Sequence, residues 1–443
     1  MRADESPNLA RLLARRPADR IVWGLGRMRD LMASVGQPHE SFRSIHVAGT
    51  NGKGSVAAKL EALLRASGVR TGLFTSPHLR EFRERIRVNG VPVPIGELDQ
   101  AAADLLPALD AVDASWFEAV TALGFLTMGR SAVEWAVVET GLGGRLDATN
   151  VILPDLAVVT NVSLDHEDYL GSDLAQIAAE KAGIIKANVP TILGRMPESI
   201  AAVFRTRAAE VDAPVWLLGI DAAVDGIRVS ASGTRFEFRL PLEAEPEVYQ
   251  TPLPGEHQAD NAALALMAFR QLTAENRVGY PTKPGVPARR DPARDAIALA
   301  GVRWPGRFQV VSGSEGTSVL DVAHNQAGVE ALLRTMDDVR LPGPVVACVA
   351  ILGDKEWGAM LGPLLASCDS AVLTVPPSAP PSRRWDPAGV ARDGGFPVEV
   401  VADFDDAMRR SRQLAGSGTV LITGSCYTVG DALDWLDAHM AQA

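Results

Sequence analysis

The sequence predicts an α/β chain in two domains: a larger N-terminal domain built on a phosphate loop, residues 1–300, and a smaller C-terminal α/β domain, residues 301–443. Three observations carry that expectation. A short apolar run, Ser44 to Ala48, is followed by glycine-rich punctuation and then by apolar residues recurring every three or four positions from Val56 to Ala66. Two later apolar runs, 132–139 and 156–161, end on polar residues and alternate with helical stretches, as in a parallel sheet. Beyond residue 300 a second strand/helix alternation begins, with strands expected near 308–312, 317–322, 344–351, 370–375 and 418–423.

The first of these stretches organises the rest. Strand, glycine loop and helix form the arrangement in which backbone N–H groups and a helix N-terminus hold phosphate oxygens. In Gly49-Thr50-Asn51-Gly52-Lys53-Gly54-Ser55, Lys53 can reach terminal phosphates, and the Ser55 hydroxyl stands where a magnesium ligand is expected. The spacing departs from G-x-x-x-x-G-K-[ST], because Gly54 separates the lysine from the hydroxyl residue. A plain glycine turn would account for the glycines, but not for the lysine, the hydroxyl and both flanking elements together. The stretch reads as a nucleoside triphosphate site.

Composition bounds the function class. Of 443 residues, 47% are hydrophobic and 22% charged, enough apolar material for two cores. A net charge of -11 argues against nucleic acid as the main partner. Cys348, Cys368 and Cys426 are widely spaced, which fits free thiols in a reducing compartment better than disulfides or zinc. The first residues carry Arg2, Asp4 and Glu5 without an apolar signal core, and no run of 18 apolar residues occurs. A soluble, cytoplasmic protein that does not engage membranes is expected.

In chain order, residues 7–36 read as helical, and Gly68 is a plausible stop for the helix after the phosphate loop. A strand from Thr71 to Phe74 leads into Thr75-Ser76-Pro77-His78-Leu79, a loop expected to face the phosphate loop. The basic segment Arg80 to Asn89 suits either an anion-facing loop or a solvated arm. Helices are expected over Ile95–Leu109 and Trp116–Met128. Two consecutive strands then deliver Glu139 and His166 to loops at their carboxyl ends, beside the phosphate loop. There they become candidate metal ligands, since ATP-dependent transfer needs magnesium held largely by oxygen. A helix over Asp173–Lys186 carries Lys181 and Lys186 late, where the helix dipole alone would favour them. Strand-helix-strand recurs over 190–218, hairpin-like alternation follows over 225–252, and a helix runs from about Gly255 to Leu272. The stretch 275–294, with Pro281, Pro284, Pro287 and Pro292, reads as an exposed loop ahead of the domain boundary.

Eight words, in order, resemble the folylpolyglutamate synthase/dihydrofolate synthase branch of the Mur ligase family. They are VAGTNGKGS (47–55), TSPHLREFRERIRVNG (75–90), VVETGLGGRLDATN (137–150), TNVSLDHEDYLG (160–171), AAEKAGIIK (178–186), GEHQADNAALAL (255–266), RWPGRF (303–308) and DVAHNQAG (321–328). The resemblance implies an N-terminal P-loop ATPase domain of the Mur ligase central type and a Rossmann-like C-terminal domain. It further implies a monomeric Mg-ATP-dependent ligase joining L-glutamate to a folate or dihydropteroate carboxylate. It assigns Thr50, Asn51, Gly52, Lys53, Gly54 and Ser55 to ATP, with Asn261, Arg307 and Asp321, the last two reaching in from the second domain. Ser76, Glu139 and His166 match magnesium ligands. Lys181 matches a lysine that becomes carbamylated. Asp147 and His324 match polar residues near the reacting centre, and Arg145 and Ser425 match positions toward the folate and glutamate substrates. The sequence departs from the family at Thr140, Val322 and Gln326, and in GDKEW at 353–357.

The implied chemistry needs this set. A carboxylate is a poor electrophile, so it first takes the γ-phosphoryl of ATP, and the glutamate amine then attacks the acyl phosphate. Two other readings compete: a muramyl peptide ligase, disfavoured by the folate-branch words, and a nucleotide switch or transport ATPase. The last would release phosphate without either carboxylate or amine substrate.

Overall fold

The computed structural model describes residues 6–15, 24–241, 243, 245–275, 277–279 and 290–440. Within these, the chain forms two compact units. The first runs to Asp225 and adds Glu237–Tyr249 and Asp260–Val302; the second joins Gly226–Phe236 and Gln250–Ala259 to the chain from Arg303 onward.

The first unit is organised by one sheet. Its strands are β1 (Arg43–Ala48), β2 (Thr71–Phe74), β3 (Ile86–Val88), β4 (Val91–Pro92), β5 (Trp135–Glu139), β6 (Leu156–Val159), β7 (Thr191–Leu193) and β8 (Val215–Leu217). Their order is β4-β3-β2-β5-β1-β6-β7-β8. From β2 to β8 all neighbours run parallel, and β3 and β4 add an antiparallel edge. A parallel sheet is covered on both faces, so its strands read as continuous apolar runs. One apolar cluster joins Phe74, Ile86 and Val138 to residues of the helices Ile95–Ala111 and Trp116–Arg130. Another joins Ala48, Val159 and Leu193 to the helices Leu174–Ala182 and Glu198–Glu210. β1 lies between β5 and β6, and the chain leaves it for β2 on the β5 side and later returns through β6 on the other. The carboxyl end of β1 is therefore the point where strand order reverses, the place at which open α/β sheets bind ligands.

Several elements differ from expectation for local reasons. The helix after the phosphate loop spans Lys53–Ala66, three residues earlier than the apolar pattern, because Gly52 at φ 83° turns the chain into it. Gly68, at φ 94°, follows its end as anticipated. The basic stretch from Arg80 is a folded turn, not a solvated arm. It forms a 3-10 turn, Phe82–Arg85, closed by a capping box of Glu81 and Glu84, and then enters β3. Its arginines bind within the protein: Arg83 to Glu81, Arg87 to the Glu84 carbonyl, and buried Arg85 to His78. The helix expected to reach Lys186 ends at Ala182; Asp173 caps its start by accepting from Gln176 N at 2.8 Å. Lys186 instead donates to the Asn150 carbonyl at 3.2 Å.

Strands β9 (Ala223–Ser230), β10 (Gly233–Arg239) and β11 (Glu247–Thr251) form a three-stranded sheet where alternation suggested a hairpin. In the proline-rich stretch, residues 276 and 280–289 lie outside the described residues, while Pro292 opens a helix, Pro292–Ala300, capped by Asp291.

The second unit holds β12 (Gln309–Gly313), β13 (Gly316–Asp321), β14 (Val345–Val349), β15 (Ser370–Leu373), β16 (Glu399–Val400) and β17 (Thr419–Thr423), ordered β12-β13-β17-β14-β15-β16. All neighbours are parallel except the β12-β13 pair. Strand β16 gave no signal in the sequence because it is two exposed residues long. No helix among the described residues is long and apolar enough to cross a membrane.

Candidate active site

The carboxyl ends of β1, β2, β5 and β6 carry most of the residues singled out by sequence. The phosphate loop after β1 is clamped by the residues that follow β6. Thr50 N donates to the Asn161 carbonyl at 3.0 Å, and Asn51 N donates to Asn161 Oδ1 at 3.0 Å. Thr160 Oγ1 and Asn161 Nδ2 both donate to the Asn51 carbonyl, at 2.6 and 3.1 Å. Thr50 Oγ1 and the backbone of Ser163 complete the clamp at 3.1 Å. Thr160 and Asn161 were not singled out from sequence; two polar side chains directly after an apolar strand were the available signal. Gly49 is required by this fit, since at φ 147° a Cβ would overlap Thr160 Oγ1. A Cβ on Gly52 would meet Asn261 Oδ1 at 2.6 Å, which sets Asn261 directly against the loop.

Lys53 folds back on this loop, donating to the Gly49 and Thr50 carbonyls at 3.1 and 3.0 Å. Ser55, at the start of the helix, is buried, and its Oγ has no hydrogen-bond partner among the described residues. A buried hydroxyl of this kind is an unmet polar group that a ligand can satisfy.

Glu139 ends β5 opposite Val47 of β1 and is buried; its Oε2 accepts from Ser76 N at 3.1 Å, in the loop after β2. Ser76 and Glu139 are thus brought together. His166 stands at φ 55° at the head of a short helix, Glu167–Leu170, with Nε2 3.8 Å from Asp165 Oδ1. Among the described residues no three His, Cys, Asp or Glu side chains converge as a closed metal cage. Ser55, Ser76 and Glu139 offer oxygen donors of the kind magnesium takes, since that ion binds few protein oxygens and keeps water or phosphate for the rest.

Lys181 is 3% exposed, in the last turn of its helix, and donates to the Gly49 carbonyl at 3.0 Å. Two lysines therefore share one carbonyl of the phosphate loop. Burial first, and the Lys53 charge second, bring the Lys181 amine from 10.5 down to about 7, against the opposing pull of Asp165 and Asp147.

Asp147 is buried and engaged on several sides. It accepts from Thr149 N at 3.0 Å and Leu142 N at 2.7 Å, as well as from the Thr149 hydroxyl. Burial pushes its carboxyl up, and these donors oppose the shift. Arg145 pairs with Glu180 at 2.7 Å on the surface, and its backbone N donates to the Glu180 carbonyl.

In the second unit, Asp321 ends β13 and accepts from Phe308 N and Ala323 N, both at 2.8 Å. Burial raises its carboxyl; the Arg307 charge is the largest opposing influence. Arg307 itself donates to the Gly306 carbonyl at 3.2 Å, and His324 Nδ1 lies 2.8 Å from the Val322 carbonyl. Arg307, Asp321 and His324 thus belong to one strand-end cluster. Ser425 follows the carboxyl end of the neighbouring strand β17, whose Thr423 pairs with Asp321; it is buried, and its Oγ accepts from Thr428 N at 3.1 Å, capping the helix Cys426–Met440.

The Mur ligase middle domain matches residues 47–269, and the Mur ligase glutamate ligase domain matches residues 306–426. The dihydrofolate synthase/folylpolyglutamate synthase of Bacillus subtilis is 33% identical over 92% of this chain and 94% of its own. The chain belongs to the folylpolyglutamate synthase/dihydrofolate synthase family of Mur ligases. The Mycobacterium tuberculosis folylpolyglutamate synthase complexed with ADP superposes on this member with a TM-score of 0.85 at 34% identity, covering 97% of this chain and 98% of that one. Escherichia coli FolC in complex with DHPP and ADP gives 0.84 at 29% identity, covering 98% of both. This family member is a ligase with an N-terminal parallel-sheet unit and a C-terminal mixed-sheet unit.

Proposed function

We propose that this ligase joins the α-amine of L-glutamate to a carboxylate of dihydropteroate or of a folate, with ATP cleaved to ADP and phosphate. The observation that carries this reading is the grouping of a lysine, an unpartnered buried hydroxyl and a buried carboxylate at the reversal point of the sheet, around a glycine loop. The names and bound ligands of the relatives supply the substrate class.

The substrate carboxylate oxygen attacks the γ-phosphorus, giving an acyl phosphate and ADP. Lys53 leaves the loop carbonyls to neutralise the transferring phosphoryl, while the backbone of 49–55 holds the other phosphates. The glutamate amine then adds to the acyl carbon, and phosphate departs as the C–O bond breaks. Ser55, Ser76, Glu139 and His166 would hold magnesium, which when bound offsets charge on the phosphate oxygens. Asn261, Arg307 and Asp321 serve ATP in this reading; Asp147 and His324 serve the reacting centre, and Arg145 and Ser425 the substrates.

Lys181 is carbamylated in the working enzyme: its neutral amine adds to CO₂, releasing a proton and forming an N-carboxylate. That step requires an unprotonated amine, and the depressed value of about 7 supplies one near neutral pH. It replaces a cation beside Lys53 with an anion, which suits a neighbourhood that must also hold a metal. The net charge of -11 and three free cysteines agree with a cytoplasmic enzyme that acts on small molecules, not nucleic acid; we take it to act as a monomer.

The test is ADP release with glutamate and either dihydropteroate or tetrahydrofolate under saturating Mg-ATP. A glutamyl amide formed in step with ADP is expected. ADP release indifferent to both co-substrates would replace the ligase reading with a nucleotide switch.

A further inference from the structure

His46 takes no part in the chemistry above, yet it lies in β1, three residues before Gly49, and is completely buried. Its Nε2 is 2.8 Å from Thr149 Oγ1, and its Nδ1 has no hydrogen-bond partner among the described residues. The Thr149 hydroxyl has one proton, and it donates that proton to the Asp147 carboxylate. It can therefore only accept from His46. The ring proton is on Nε2, and Nδ1 is bare. An unmet nitrogen in a dry interior is unfavourable, so packing alone would favour an apolar side chain at this position.

The relay continues beyond Asp147. That carboxylate accepts from Leu142 N at 2.7 Å and so fixes the glycine loop after β5. The loop in turn lies against the helix turn that carries Lys181: Arg145 N donates to the Glu180 carbonyl at 2.7 Å. A Cβ on Gly144 would come within 2.9 Å of the Glu180 carbonyl and 3.0 Å of the Lys181 carbonyl, so the two backbones touch. One buried line of contacts thus runs from the strand of the phosphate loop, through His46, Thr149 and Asp147, to the turn of Lys181.

We propose that His46 is a positioning residue for the ligase reaction: its Nε2–H orients the Thr149 hydroxyl onto Asp147, and so sets the 141–147 loop and the Lys181 turn relative to the phosphate loop. The kinetic part of this inference rests on the ligase reading above; its spectroscopic part does not. The device uses a neutral histidine throughout. Burial, followed by the nearby Lys186 charge, depresses the ring to about 3. It is therefore a fixed strut, not a proton carrier.

The test combines His46→Leu, His46→Gln, Thr149→Val and the double variant His46→Leu/Thr149→Val. His46→Leu should lower kcat by about tenfold or more while KM for ATP stays within about twofold, because the Thr160 and Asn161 clamp on the phosphate loop is untouched. Glutamine can offer an N–H in nearly the same place, so His46→Gln should recover most of the lost kcat. Thr149→Val breaks the same line, so the double variant should be no slower than the worse single one. Equal loss in His46→Leu and His46→Gln, or multiplied losses in the double variant, would overturn the proposal. If His46→Leu does not fold, Thr149→Val decides: normal kcat there overturns it too. Nitrogen-15 NMR of the histidine-labelled wild-type protein should show a His46 ring protonated at Nε2 and bare at Nδ1. The opposite tautomer would refute the relay even if no folate substrate were turned over, whereas a correct tautomer with no glutamyl amide from the wild-type enzyme would fault only the ligase reading.

Discussion

Lys181 is the residue whose surroundings say most. A lysine at its ordinary 10.5 would be neutral in roughly one molecule in three thousand at pH 7, whereas one at about 7 is neutral in about half. Lys181→Ala should therefore be nearly inactive and partly restored by acetate, a small carboxylate able to occupy the vacated space. An active variant indifferent to bicarbonate would sink the carbamate. The same shift makes a stability prediction. Between about pH 7 and 10.5 the unfolded chain holds a proton at this lysine that the folded one has released, so stability rises with pH through that window. Below about 7 both states are protonated and the penalty for the buried charge is constant. In CO₂-free buffer, Lys181→Met should flatten the rise, as read by urea midpoints at pH 7 and 10. Lys53 makes a useful contrast. It donates to loop carbonyls, and the clamp from Thr160 and Asn161 stands without it. Lys53→Ala should lower kcat by about a hundredfold or more, with little change in thermal midpoint; a drop typical of a core deletion would mark the lysine as structural.

At the scale of elements, the phosphate loop is a strand-to-helix turn held from the neighbouring strand. Asn161 both accepts from Asn51 N and donates to the Asn51 carbonyl. Asn161→Ala leaves two backbone groups of the loop without these partners, a loss of about 1–3 kcal/mol. If it falls on nucleotide binding, KM for ATP should rise by roughly five- to a hundredfold, with kcat changed less; an unchanged KM would show that the loop keeps its shape without the clamp. The sequence made the two ends of this element legible and left the middle dark. Apolar runs and glycines marked β1, its loop and its helix, because period and punctuation are local properties. The clamp, the His46–Thr149–Asp147 line and the meeting of Lys181 with Gly49 each join residues about a hundred or more positions apart. Such pairings arise from the parallel order β5-β1-β6, which no window of the sequence contains. The arginines of 80–89 illustrate the opposite limit. Their composition suited an anion site or a solvated arm, but it could not reveal that Glu81, Glu84 and His78 already hold them.

At the scale of the molecule, the question is whether the second unit takes part in chemistry or only in folding. Its strand-end cluster is suited to do more than fold. Asp321 is buried where a carboxylate is unfavourable, and the Arg307 charge is the chief side-chain influence that offsets it. Arg307 is half-buried, and its guanidinium donates to the adjacent Gly306 carbonyl. Removing the side chain leaves the buried Asp321 carboxylate without its chief side-chain offset, so some fall in the thermal midpoint is expected in any case. A purely structural arginine would be expected to lower the thermal midpoint of Arg307→Ala and leave the kinetics of the folded fraction alone. An arginine that neutralises phosphate should act on the kinetics as well: kcat/KM for ATP should fall by about ten- to a hundredfold, beyond what the lowered midpoint accounts for. The rise in midpoint that saturating Mg-ATP gives the wild-type enzyme should shrink in step, since that rise measures nucleotide affinity alone. Kinetics and nucleotide-induced stabilisation both at wild-type values would confine ATP chemistry to the first unit.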